Sequence, residues 1–357
     1  MIKNNSCSSF KIDTFFSEKI KIISFFAILI VMYEHSGIID DSYKTMTAPV
    51  IVYYSTAGFW GNCAVPIFYA ISGFLFFYGA SKLSSIISKI KKRTKTLLIP
   101  FIIAAIYYPL FFVIMELTPL KQYIDRGSLI EFCTTHPIGD VIKMLFYGSS
   151  DGYPWAYHLW FMRDLITIVA LSPIIFYVRK GLKYYSIIIS ALLYLIFPYI
   201  RVLDALTWFL FGSLLLDKIQ RIPTKVTWII SILYLLIVIY RLLTGDQPSN
   251  IEKLIEISLG IISIWSIYDK IVTPTFNLSS HHWLYIGCQF TFFIYLYHEP
   301  IMHLMVKSIV LIMGKNAVGL SLGILLPPLL ITPICIMIGY VLKIIVPSFY
   351  KILVGGR

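Results

Sequence analysis

The sequence has little charge for its length and lacks any long polar segment. Only 13% of its 357 residues are Asp, Glu, Lys or Arg, whereas soluble domains carry about 25%. By contrast, 58% are hydrophobic, and they come in blocks of about 20, the length that crosses a bilayer as a helix. The composition therefore excludes an ordinary soluble domain and predicts a polytopic membrane protein.

Motifs of several enzyme classes are also absent. The five cysteines are scattered without a CxxC pair, so neither a metal site nor a disulfide framework is expected. No HExxH or Walker motif occurs, which argues against a zinc protease and a P-loop enzyme. The net charge of +12 lies in short loops between apolar blocks, and this pattern indicates membrane orientation and not nucleic-acid binding.

Ten apolar segments are long enough to be predicted as transmembrane helices. Their approximate limits are 20–39, 59–78, 97–116, 157–178, 184–200, 202–217, 226–243, 254–270, 284–305 and 318–346. The sixth has a short apolar core, because Asp204 and Asp217 bracket it. No small-residue cleavage site follows the first segment, so it is expected to remain as a helix. The prediction is an all-α transmembrane bundle that forms one domain over residues 1–357, without a separate soluble domain.

Lysine and arginine residues are distributed unevenly between the two sides of this bundle. Of the 30 present, roughly two thirds lie in segments on the same side as the N-terminus, and cytoplasmic loops carry such an excess. Both termini are therefore predicted to be cytoplasmic. This orientation also predicts the depth of each polar residue in the membrane.

Three spans carry ionisable residues at one predicted depth, in the outer half of the membrane. They are Glu34 and His35 in the first span, His158, Arg163 and Asp164 in the fourth, and His298 and Glu299 in the ninth. Such residues are costly in a bilayer and usually functional. A histidine can take a proton from a hydroxyl near neutral pH, and a neighbouring carboxylate orients its ring. His35 is the candidate base, helped by Glu34 or another carboxylate. The others are candidates to orient an acceptor or stabilise an oxyanion.

Each of these groups also has a structural interpretation. The pair in the first span fits side chains that snorkel to the interface, and the charged pair in the fourth fits an ion pair between helices. His158 fits an aromatic belt, because aromatic residues flank it. The run from His298 to Pro300 fits a helix kink. The shared depth of all three groups favours the functional interpretation.

A basic cluster precedes the third span on the predicted cytoplasmic side. It consists of Lys89, Lys91, Lys92, Arg93 and Lys95. Such a cluster orients a helix and contacts lipid headgroups, or it binds a phosphorylated donor, because several cations together suit a diphosphate. The sequence leaves both interpretations open.

Several short motifs follow one another along the chain. The first is His35 preceded by Ala27 and Val31. The others are Phe-Tyr-Ala-Ile-Ser-Gly-Phe-Leu at 68–75, Lys-Arg at 92–93 followed by Leu-Leu-Ile-Pro-Phe at 97–101, His-Leu-Trp-Phe-Met at 158–162, Phe-Leu-Phe-Gly at 209–212 and Tyr-Leu-Tyr-His at 295–298. In this order they resemble the bacterial membrane-bound O-acyltransferases of the acyltransferase-3 family, over nearly the whole chain.

The resemblance implies a ten-helix enzyme of the bacterial cytoplasmic membrane that moves an acyl group, often acetyl, from a cytoplasmic donor such as acetyl-CoA. Its expected acceptors are hydroxyls of cell-surface glycans, peptidoglycan, lipid-linked sugars or small molecules, and no permanently bound cofactor is expected. The family's histidine maps onto His35 as the base. Its basic stretch maps onto Lys92, Arg93 and Lys95 as donor-binding residues.

One position departs from the family pattern. The family usually has an arginine eleven residues before its histidine, where this chain has Ser24. Lys21 lies one helical turn earlier and is a partial replacement. Ser24 therefore changes the contact that the first helix would make with the donor.

A transporter or lipid-glycan flippase is the alternative from another functional class. The same buried charges would then relay protons, and prolines within the spans would break helices around a substrate path. These prolines are Pro66, Pro198, Pro300, Pro327 and Pro328. Acyl-CoA-dependent acylation, as opposed to uptake into vesicles, distinguishes the two classes.

Overall fold

The computed structural model contains only helices as regular elements in the residues that it describes. These residues are 12–37, 47–58, 60–119, 121, 127–148, 152–219, 221–245, 247–273, 275–278 and 283–356. The α-helices are α1 (Thr14–Ser36), α2 (Thr47–Tyr53), α3 (Gly61–Phe77), α4 (Leu83–Arg93), α5 (Ile99–Glu116), α6 (Leu129–Thr135), α7 (Ile138–Phe146), α8 (Trp160–Leu182), α9 (Tyr185–Ile196), α10 (Arg201–Ile219), α11 (Thr224–Thr244), α12 (Asn250–Ile271), α13 (Trp283–Tyr297), α14 (Ile301–Met313), α15 (Ala317–Ile345) and α16 (Pro347–Leu353). A 3-10 turn, Tyr157–Leu159, precedes α8, and a π-helical turn, Thr94–Leu98, joins α4 to α5.

Among the residues that the structure describes, five helical segments are long and apolar enough to cross a membrane. They are Thr47–Phe77, Leu83–Glu116, Tyr157–Leu182, Thr224–Thr244 and Ala317–Ile345. Shorter apolar helices, α9, α13 and α14, accompany them. The predicted all-α membrane protein is thus confirmed, whereas the number of ten spans and the side of the termini stay predictions.

Two predicted spans differ from the helices that form. The segment predicted at 284–305 is two helices, because Pro300 has no N–H to continue α13 and its ring obstructs the preceding turn; α14 begins immediately after it. The segment predicted at 184–200 contains α9, which has 12 residues. At 1.5 Å per residue this helix is about 18 Å long, shorter than a hydrocarbon core of about 30 Å.

The helices α3 and α10 approach each other through reciprocal glycines. A Cβ atom at Gly73 would overlap the backbone carbonyl of Phe209, and one at Gly212 would overlap that of Ala70. Small residues permit such close backbone packing between membrane helices. The two motifs at 68–75 and 209–212 therefore fasten α3 to α10, and this contact holds one wall of the site described below.

Helix α1 lies between α3, α13 and α15 and is fixed at both ends. At its start the Asp13 carboxylate accepts a hydrogen bond of 2.8 Å from the Phe16 backbone N–H, as an N-cap does. Near its start the buried Lys19 ammonium pairs with Asp269 of α12 at 2.7 Å. At its end the Ser36 hydroxyl reaches the Ile324 carbonyl of α15 at 3.0 Å. These contacts fix the position of His35, one residue before Ser36.

Candidate functional site

His35 lines a small cavity between α1, α3, α8 and α13. The cavity has a volume of about 80 Å³, and His158, Phe68, Phe161 and Tyr295 are among its lining residues. The His35 ring is half-buried, and its Nδ1 atom is buried without a hydrogen-bond partner among the described residues. Nε2 is therefore the nitrogen available to a molecule in this space, which we call the His35 cavity.

Three histidines predicted at one depth come together here: His35 and His158 line the cavity, and His298 packs beside it without lining it. The rings of His35 and His298 are stacked, with centroids 5.6 Å apart and planes at 24°. The His158 ring lies 5.3 Å from that of His298 in an edge-to-face arrangement. A shared depth does not by itself bring three side chains on different helices together. Their convergence therefore supports the functional interpretation of that depth.

The tautomer of His298 follows from its hydrogen bonds. Its Nδ1 atom lies 2.9 Å from the Ile294 carbonyl oxygen and 3.1 Å from that of Tyr295. Because a carbonyl can only accept, Nδ1 carries the proton and Nε2 has the lone pair. Nε2 is buried and has no hydrogen-bond partner in the part of the chain that the structure describes. In a neutral His298, Nε2 is therefore a hydrogen-bond acceptor and carries no N–H donor.

Glu299 reaches His35 through a tyrosine. The Tyr157 hydroxyl donates to Glu299 Oε1 at 2.7 Å, and the Tyr157 ring lies edge-on to the His35 ring, with centroids 5.1 Å apart. Both Glu299 and His298 are fully buried. Tyr157 is one of the aromatic residues that flank His158, and the sequence pattern alone predicted only an aromatic belt for them.

Glu34 also lines the His35 cavity, but its carboxylate bonds to another residue and not to His35. Its Oε1 atom accepts a hydrogen bond of 2.9 Å from the Tyr53 hydroxyl, and a Cβ atom at Gly61 would overlap its Oε2. Within the described residues no hydrogen bond joins Glu34 to His35. Consecutive side chains project about 100° apart around a helix, which explains why the two groups face different neighbours.

Arg163 and Asp164 form an ion pair with each other. An Arg163 guanidinium nitrogen lies 2.8 Å from Asp164 Oδ1. The same guanidinium donates to the carbonyl of Gly152 at 2.7 Å and to that of Tyr147. It thus fastens the segment before α8 to that helix. Neither residue lines the His35 cavity, so the geometry gives this pair a structural part.

A second and larger cavity carries cations from three helices. It has a volume of about 620 Å³, and its lining includes Lys21 of α1, Arg93 of α4 and Lys343 of α15. Ser24, where the family pattern has arginine, also lines it. We call this space the basic cavity. From Lys21 to His35 is 14 residues along α1, or about 21 Å at 1.5 Å per residue.

Only one of the three predicted donor-binding residues reaches the basic cavity. Arg93 lines it, whereas Lys92 and Lys95 are exposed and absent from its lining. Lys89, from the same cluster, instead donates to carbonyls at the end of α3, including that of Phe76 at 2.7 Å, and so caps that helix. Lys343 was missed, because its contribution depends on the packing of α15 beside α1 and α13.

A cavity larger than either of these lies elsewhere, and no histidine lines it. It has a volume of about 1110 Å³, and mostly apolar side chains line it, such as Trp283, Leu329 and Met337. These three side chains are all exposed. An apolar surface of this kind on a membrane helix faces lipid tails, so its size alone does not make it the reaction site.

The sequence also contains a serine motif. Residues 148–152 have the Gly-x-Ser-x-Gly spacing of a hydrolase nucleophile loop, and residues 149–151 lie outside those described. Such a loop needs a strand before the serine. Helix α7 comes before it instead, and α8 after it, so the context of a nucleophile elbow is missing from the described residues on both sides.

Comparison with known proteins gives one match. A family model for an acyltransferase domain matches residues 19–346, which is nearly the whole chain. The matched range includes the His35 cavity, the three cations of the basic cavity and the three histidines of the site. No curated protein and no solved structure matches the chain.

Proposed function

The chain belongs to the acyltransferase-3 family, and we propose that it is a membrane O-acyltransferase that moves acetyl from acetyl-CoA to a hydroxyl. The proposed acceptor is a cell-surface glycan or a lipid-linked sugar, and the proposed location is the bacterial cytoplasmic membrane. One observation carries the proposal. The basic cavity and the His35 cavity share a wall of three aromatic residues, Phe68, Phe161 and Tyr295.

The basic cavity has the chemistry of a coenzyme A site. Phosphate groups favour several cations held together, and Lys21, Arg93 and Lys343 come from helices that are distant in sequence. A volume of about 620 Å³ falls within the usual range of small-molecule sites. The donor's phosphates would bind the three cations, and its thioester would extend toward the shared wall.

His35 would act as the general base. Its Nε2 takes the proton of the acceptor hydroxyl while that oxygen attacks the thioester carbonyl carbon. The carbon–sulfur bond then breaks, the new ester leaves, and the coenzyme A thiolate receives the proton from the imidazolium. His298 would stay neutral and position the His35 ring by stacking on it. General base catalysis of this kind contributes about 10²–10⁴-fold.

The test uses the purified full-length protein in lipid nanodiscs with labelled acetyl-CoA and a panel of sugar acceptors. We expect acceptor-dependent release of free coenzyme A and a product heavier by one acetyl group. His35→Ala should lower kcat by at least about 100-fold. His136→Ala is the matched control, because His136 is exposed after α6 and contacts Phe132.

Two outcomes would contradict the proposal at different points. Retained turnover in a folded His35→Ala protein would remove the base assignment alone. Uptake of a sugar or lipid-linked sugar into proteoliposomes, with no acylation under any donor, would replace the acyltransferase with a transporter.

A further inference from the structure

The wall between the two cavities consists of aromatic rings from three helices. Phe68 belongs to α3, Phe161 to α8 and Tyr295 to α13, and all three line both cavities. An acyl group that passes directly from the basic cavity to His35 would therefore pass these rings.

The ring of Phe161 is the central one and contacts the other two rings. The Phe161 ring lies 5.7 Å from that of Phe68 and 5.7 Å from that of Tyr295, measured between centroids. Phe161 is therefore the ring that touches both of the others. Such contacts are the favourable tilted and edge-to-face arrangements of aromatic pairs.

Neighbouring residues hold this wall in place from behind. The Tyr69 ring packs on Phe161 at 4.7 Å, and its hydroxyl donates to the Phe161 carbonyl at 3.3 Å. The Tyr295 hydroxyl donates to the His158 carbonyl at 3.2 Å. The wall is thus a fixed part of the bundle, and its position relative to the histidines is set by hydrogen bonds.

The two cavities differ in the size of group that they can hold. An apolar cavity of about 150 Å³ binds one benzene molecule, which has six heavy atoms. By that scale the His35 cavity, with about 80 Å³, holds about three heavy atoms. The acetyl methyl carbon, the carbonyl carbon and the attacking acceptor oxygen are three, whereas butyryl brings two further carbons that this volume does not hold. The basic cavity imposes no such limit, because its volume is about 620 Å³.

We infer that Phe68, Phe161 and Tyr295 form a size filter that admits acetyl to His35 and excludes longer acyl chains, with Phe161 setting the limit. This inference rests on the proposed acyltransferase function. It assigns the acyl-chain specificity to the ring wall and not to the cations, which would contact only the coenzyme A part of the donor.

The test compares acetyl-, butyryl- and hexanoyl-CoA as donors for the wild-type protein and for Phe161→Ala in nanodiscs. We expect the wild-type protein to prefer acetyl-CoA. Phe161→Ala should raise the ratio of kcat/KM for butyryl-CoA to that for acetyl-CoA by at least about tenfold, since one methylene in a pocket changes specificity by about 10–200-fold. Phe68→Ala should shift the ratio in the same direction.

Phe292→Ala is the matched control. Phe292 stacks on Tyr295 with centroids 6.3 Å apart but lines only the basic cavity. Its removal should change KM for all donors alike and leave the ratio at the wild-type value. A Phe292→Ala protein with the same altered ratio would assign the specificity to the basic cavity and overturn the filter.

The remaining outcomes separate the filter from the proposed function. A wild-type protein that uses no acyl-CoA of any length refutes the proposed function. An active wild-type protein that prefers hexanoyl-CoA overturns the filter alone. An unchanged ratio in both Phe161→Ala and Phe68→Ala also overturns the filter. The loss of all turnover in both variants, while their thermal unfolding stays that of the wild type, overturns it as well.

Discussion

Removal of the Lys343 ammonium should weaken donor binding without affecting the chemical step. The structure brings Lys343 to the basic cavity with Lys21 and Arg93, although it lies far from both in sequence. Hydrogen bonds to charged groups contribute about 1.5–3 kcal/mol, and fully exposed ion pairs about 0.2–1 kcal/mol. Lys343 is exposed and lines the basic cavity, so its removal should cost an intermediate binding free energy of about 1–1.5 kcal/mol. This corresponds to a rise of about five- to tenfold in KM.

The assay measures KM and kcat for acetyl-CoA in nanodiscs with wild-type protein, Lys343→Ala and Lys343→Arg. KM should rise in Lys343→Ala, recover in Lys343→Arg and depend less on salt in the alanine variant, because screening then acts on one cation fewer. S-acetylpantetheine, which carries no phosphate, should be used equally by Lys343→Ala and the wild type. This donor distinguishes a phosphate contact from a general disturbance of the fold.

The sequence-based alternative places the donor on the exposed basic stretch. In that case Lys92→Ala and Lys95→Ala would raise KM for acetyl-CoA and Lys343→Ala would not. We expect the reverse, because Lys92 and Lys95 do not line the basic cavity. An unchanged KM in Lys343→Ala, with both other variants impaired, would refute the assignment of this cavity to the donor.

Two further predictions concern packing and the site. Gly73→Ala should lower stability by about 1–3 kcal/mol, the usual cost of overpacking, and lower the midpoint of thermal unfolding. Gly181→Ala, with open space around it, should not, and equal midpoints would contradict the glycine contact. Tyr157→Phe should lower kcat by up to about tenfold through loss of its hydrogen bond to Glu299, and Glu34→Gln should lower it less. A larger effect of Glu34→Gln would make Glu34 the partner of His35.

The helices that could be predicted from sequence are those whose limits depend on local hydropathy. The predicted spans at 226–243 and 318–346 correspond closely to Thr224–Thr244 and Ala317–Ile345. Asn316 explains the start of the latter, since its side chain accepts hydrogen bonds from the Val318 and Gly319 N–H groups. The break at Pro300 was harder to place, because a proline in an apolar run either kinks a helix or ends it.

The sequence predicted which residues of the candidate site share a depth, but not the side of its helix on which each residue lies. Length and charge patterns give the depth of His35, His158 and His298, and these residues do meet. The side of a helix on which a residue lies is determined by packing, so Glu34 and Arg163 share the depth and face other partners. The wall residues lie in the motifs at 68–75, 158–162 and 295–298, but they carry no charge and resemble ordinary core side chains, so nothing in the sequence predicted their role.

The stacked pair of His35 and His298 limits the site to one proton at a time. With ring centroids 5.6 Å apart, two imidazolium charges would repel strongly in surroundings that exclude water. In the proposed reaction, once His35 has taken the acceptor's proton, His298 would have to stay neutral, with its lone pair on Nε2. The proton then has to leave His35 before the next acceptor binds. In the proposed reaction the coenzyme A thiolate would form next to the acetyl carbonyl at His35 in the same step, so it would be both the closest new base and the product that removes the proton.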